Sequence, residues 1–89
     1  MNVYMVERSL KGIGLNELAG AQRAAIDKAA EMTSQGTTIG YIRSTFAPED
    51  GRCMCLFEAE KPGDVEKLND DAGIPYDRVV PALDLTPAA

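Results

Sequence analysis

The chain opens on a short apolar run, Val3, Tyr4, Met5 and Val6, too brief for a helix and rich in β-favouring side chains, so Asn2 to Arg8 is predicted to be a strand. Lys11-Gly12-Ile13-Gly14 breaks it. From Leu15 to about Ser34 the period lengthens: Leu18, Ala21, Ala25, Ala29 and Met32 recur three or four apart, with charged residues on the other faces. Gln35-Gly36 supplies the stop, and the alanines of the stripe should let this helix approach a sheet closely. Thr37 to Ala47 is β-branched and aromatic, and the Asp-Gly of Pro48-Glu49-Asp50-Gly51 signals a hairpin into a returning strand, Arg52 to Ala59. Pro62 suits the first turn of a short helix with Val65, Leu68 and Ala72 on one face, closed by Gly73 and Pro75. Asp77 to Leu85 reads as a last strand, and Thr86-Pro87-Ala88-Ala89 as a loose tail. No internal repeat or low-complexity segment interrupts this order.

Strand, helix, strand, hairpin, strand, helix, strand is the split βαβ plan, so residues 1–89 are expected to form a single ferredoxin-like α+β domain. Its antiparallel four-stranded sheet would carry both helices on one face and leave the other open. Alternation along the strands sorts side chains between the faces. Glu7 goes with Val3 and Met5, Tyr41 and Arg43 with Thr45, and Glu58 with Met54 and Leu56. Charges are poorly tolerated under two helices in a small core, so these sets are assigned to the open face. Tyr4 and Val6, Ile42 and Phe46, and Cys53, Cys55 and Phe57 then lie beneath the helices.

A mixed open face asks for a partner. One reading is a homodimer interface in which Arg43 pairs with Glu7 or Glu58. A second, compatible reading is a shallow pocket where Glu7, Tyr41, Arg43 and Glu58 bind a small polar or anionic ligand, arginine being the usual bidentate carboxylate binder. Size points the same way, since a core of 89 residues is marginal alone and commonly gains stability from a second copy.

The net charge of −5 opposes binding to phosphate backbones or anionic lipid, and no basic cluster interleaved with aromatics offsets it. Neither nucleic acid nor membrane is an expected partner. The N-terminus lacks the basic and apolar regions of a signal peptide, so a cytoplasmic location is expected.

Cys53-Met54-Cys55 places two thiols on one face of a strand, with Cα atoms about 6.5 to 7 Å apart, at the edge of disulfide geometry. Two sulfurs are half a zinc donor set, and no histidine exists to complete it, so buried, reduced core residues are expected; metal or redox chemistry is the alternative. Without histidine, Ser-His-Asp and Cys-His arrangements are ruled out. Acid–base chemistry would rest on Glu7 or Glu58, with Arg43 and Tyr41 orienting a substrate oxyanion. Gly12-x-Gly14 is too short for a dinucleotide fingerprint, and Asp70-Asp71 and Glu49-Asp50 read as solvated acidic turns, with a divalent cation held at the surface by their hard oxygen donors as the alternative.

Val6-Glu7-Arg8, Tyr41-Ile42-Arg43-Ser44, Cys53-Met54-Cys55-Leu56-Phe57-Glu58-Ala59 and Ala72-Gly73-Ile74-Pro75-Tyr76-Asp77-Arg78-Val79 resemble segments of a family of short bacterial proteins classed as a domain of unknown function. The resemblance runs from Asn2 to Leu85. It implies a ferredoxin-like dimer and, because some members are described as nickel-binding, nickel as a possible cofactor; it assigns no metal ligand here. The expected function is therefore a small homodimeric binding protein holding a small ligand or a divalent metal. The alternative is a small enzyme, an isomerase, cyclase or monooxygenase-like protein, with its site on the open face.

Overall fold

The computed structural model describes residues 1–87. Its elements are β1 (Asn2–Ser9), α1 (Leu15–Ser34), β2 (Ile39–Ala47), β3 (Arg52–Ala59), α2 (Pro62–Ala72) and β4 (Arg78–Ala82). The strands form an antiparallel sheet in the order β2-β3-β1-β4, the ferredoxin-like α+β arrangement.

The local chemistry explains the boundaries. Glu17 accepts a bond from the Gly14 backbone N–H, closing the first turn of α1. At the other end Gly36 adopts φ +102° and Thr37 N–H returns to the Met32 carbonyl, so Thr37 belongs to the helix exit and β2 begins later than the β-branched run suggests. Gly51 ends the hairpin at φ +74°, where a Cβ would stand 2.3 Å from the Lys11 Cα; backbone approach as well as turn geometry demands glycine there. Gly73 caps α2 in the left-handed region, as its position predicts. β4 is shorter than expected because the chain leaves the sheet after Ala82. Its Pro81 lacks a donor and is tolerated on an edge strand.

The core lies between the sheet and the two helices. Tyr4, Val6, Phe57 and Ala59 from the strands meet Ala25, Ala29 and Met32 of α1 and Val65 and Leu68 of α2. Cys53 and Cys55 are buried here and free, as the alternation predicts. No helix among the described residues is long and apolar enough to cross a membrane. The expected tail is described only as far as Pro87; Ala88 and Ala89 lie outside the described residues.

Candidate functional site

Strict alternation fails in β2. Tyr41 stands opposite Phe57 while Arg43 stands opposite Leu56, so Ile42 is an extra residue and the strand is bulged. Tyr41, assigned from sequence to the open face, therefore turns toward the helices, its ring edge-on to Phe57 with centroids 5.5 Å apart. Ile42, assigned to the helix side, stays outside the core, while beyond the bulge the expected alternation holds and Ser44 faces Cys55.

The other three candidates do share the open face, but they are not gathered into a pocket. Glu7 is held between Arg52 and Arg78 from the two neighbouring strands. Arg43 pairs at 2.9 Å with Asp84, which follows β4, so this ion pair reaches across the sheet from one edge strand toward the other. Glu58 is exposed beside Gly40 and has no ion pair among the described residues.

A better-formed site lies on the opposite side of the sheet, under the first half of α1. Small side chains face each other there: Ala21 and Ala25 on the helix, Ser44, Cys53 and Cys55 on the strands. The result is a cavity of about 200 Å³ with apolar walls from Leu10, Leu18, Phe46 and Ile74. Of the alanine stripe, Ala25 and Ala29 are buried with Met32 in the core, and Ala21 and Ala25 also line this cavity.

Arg8 supplies the charge. It is 4% exposed, on the same face of β1 as Tyr4 and Val6. Nη1 donates to the Pro75 carbonyl at 3.1 Å and Nε to Cys55 Sγ at 3.4 Å, while Nη2 donates to no group among the described residues. No carboxylate among the described residues lies within ion-pair distance of this guanidinium. The network continues from Cys55. Ser44 Oγ donates to its sulfur at 2.9 Å, Tyr41 Oη and Ser44 Oγ share a bond of 2.6 Å, and Gln22 Nε2 donates to Tyr41 Oη at 2.9 Å. Cys53 Sγ lies 3.8 Å from Cys55 Sγ. Burial pushes the Cys53 thiol up to about 11, with Cys55 adding to the rise and Arg8 opposing it, so Cys53 is a neutral thiol at physiological pH.

Chemically the cavity offers a largely buried cation whose Nη2 keeps some contact with solvent, hydroxyl and amide donors, two sulfurs and apolar walls. The sequence signal for Arg8 was its parity: Val6-Glu7-Arg8 puts opposite charges on opposite faces, so one of them had to lie beneath the helices. The β2 bulge left no comparable mark, and Gln22 looks like any polar residue on an exposed helix face. Among the described residues no three or more His, Cys, Asp or Glu side chains gather to hold a metal ion.

No curated protein matches this chain. A crystal structure of SCO4226 from Streptomyces coelicolor A3(2) is similar to it, with a TM-score of 0.73 and 20% identity over 96% of this chain and 99% of that one, a likeness of fold. The family model described as nickel responsive protein SCO4226-like matches residues 4–81. The chain thus belongs to the SCO4226-like family of small ferredoxin-like proteins.

Proposed function

We propose that this chain is a non-catalytic binding module, working as a homodimer, and that its ligand is a small anion held by Arg8 beneath α1. The observation that supports this most is the buried guanidinium without a carboxylate, facing a cavity. A buried charge is costly unless paired, and an arginine with a free Nη2 is suited to a carboxylate or phosphate oxygen. Gln22, Tyr41 and Ser44 would supply further polar contacts. At about 200 Å³ the space is below the usual range of roughly 300–1,000 Å³ for drug-sized ligands, so a smaller molecule is indicated.

The open face supports the pairing with a second copy. Val3, Met5, Met54, Leu56, Val80 and Ala82 remain half-buried in the single chain, and Leu83 and Leu85 are exposed just beyond β4. An enzymatic use of this face through Glu7 would need a free base, and two arginines already occupy its carboxylate. Glu58 has no ion pair among the described residues but lacks the expected oxyanion-orienting partners, since Asp84 takes Arg43 and Tyr41 faces the helices. The family's name speaks of nickel, which favours imidazole. This chain has no histidine and no cluster of three donors among its described residues, so its residues do not fit a nickel(II) site.

Titration calorimetry and thermal shift with a panel of small carboxylates and inorganic phosphate test the proposal. Saturable binding of at least one member is expected, weakened tenfold or more in Arg8→Met. Arg43→Met separates the two faces. If that variant loses binding while Arg8→Met keeps it, the ligand sits on the open face and the reading fails.

A further inference from the structure

We propose that Cys53 and Cys55 form a two-sulfur site for a thiophilic monovalent metal ion, represented by Cu(I), with Arg8 as its counter-charge. The inference uses the same cavity as the anion reading but does not depend on it. Its starting point is the mismatch with nickel: the donors present are too few for a divalent ion, and they are soft. Thiolate sulfur selects soft ions such as Cu(I), and monovalent copper accepts two sulfurs as a complete set.

Geometry allows the bridge. The sulfurs are 3.8 Å apart, and a linear unit with metal–sulfur bonds of about 2.3 Å needs about 4.6 Å, so rotation of the two side chains by under about 1 Å at the sulfurs would seat the ion. Both thiols line the cavity, so an ion has a place to enter without opening the core. The pair is free, its i and i+2 spacing on a strand discouraging an intrachain disulfide.

Charge then decides which ion. Binding of Cu(I) forms two copper–sulfur bonds and releases two thiol protons to solvent, with no electron transferred. The resulting unit carries one negative charge, which the single positive charge of Arg8 cancels. A divalent ion with the same two thiolates would be neutral, leaving Arg8 buried and uncompensated, and Ser44 offers only a hydroxyl as a third donor. A bound small anion would neutralise the same guanidinium, so the two ligands should exclude one another.

The test uses reduced protein under anaerobic conditions, with copper supplied as its complex with the chromogenic chelator bicinchoninate. Wild type is expected to withdraw one Cu(I) per chain, gain a thiolate-to-copper absorption band in the ultraviolet, and slow the maleimide labelling of both thiols, which burial confines to transient opening of the metal-free fold, in proportion to copper bound. Cys53→Ser and Cys55→Ser should each weaken binding a hundredfold or more, and Arg8→Met about tenfold. Nickel(II) alone should produce no band and no protection. Thiol protection in wild type needs no variant, so a misfolded substitution does not blunt the test. Failure to withdraw copper, copper bound without thiol protection, or equal protection by nickel would each overturn the proposal. Anion titrations of metal-free wild type report on the other reading separately.

Discussion

Replacing Arg8 with methionine separates a residue kept for binding from one kept for structure. Burying the guanidinium costs several kcal/mol even after relaxation. Against this stand one ordinary bond to the Pro75 carbonyl, worth about 1.5 to 3 kcal/mol for a charged donor, and a longer contact to sulfur. Methionine fills similar space and replaces, with little net gain, the apolar burial of the arginine's own methylene stem. It also leaves Pro75 without that donor, at a cost of about 1 to 3 kcal/mol, while Cys55 keeps its bond from Ser44. These effects nearly cancel, so Arg8→Met should unfold in urea within about 1 kcal/mol of wild type, or be more stable. Far-ultraviolet circular dichroism is the readout, since the chain has no tryptophan. A loss of about 3 kcal/mol or more, the usual cost of breaking a needed buried ionic contact, would refute the reasoning and make Arg8 a structural clamp.

Tyr41→Phe removes the hydroxyl that links Ser44 to Gln22 and should cost about 0.5 to 1.5 kcal/mol in urea unfolding; no change would mean that the network is not maintained in solution. Cys53 has a folded-state pKa above its ordinary value of 9.0, so on raising the pH the unfolded chain loses that proton first. Its stability contribution is full below pH 9 and should fall through about pH 11, by on the order of 2 kcal/mol. The difference between wild type and Cys53→Ala isolates it from lysine and tyrosine titration, and a pH-independent difference would contradict burial of the thiol. Leu56→Glu puts a charge amid the half-buried open face and should convert dimer to monomer by analytical ultracentrifugation; a wild-type monomer would remove the homodimer proposal.

Element order was legible because each local signal agreed with its neighbours: the alanine stripe, Gly73 after α2, and the Asp-Gly hairpin all name their own structure. The site was harder to see. Alternation placed Glu7, Arg43, Glu58 and both cysteines on the faces they occupy, then failed at Tyr41, because a bulge adds one residue without any change in residue type. Nor could alternation foresee what satisfies the charges, since Asp84, Arg52 and Arg78 reach Arg43 and Glu7 only through the tertiary fold. The rule that charges avoid the helix side was broken by Arg8, which finds a carbonyl and a sulfur near the strand end. A cavity arises from small residues facing one another across two layers, a pairing no single segment encodes.

The most direct measurement is a nitrogen-15 and side-chain NMR titration of the metal-free protein with the tightest acid of the panel. Shifts should centre on the Arg8 Nε–H, the Gln22 amide and the backbone of Tyr41, Ser44 and Cys55, with intermolecular contacts to Ala21 and Ala25. Shifts centred instead on Arg43, Met54 and Leu56, or no saturable shift with any acid, would contradict an anion site beneath α1.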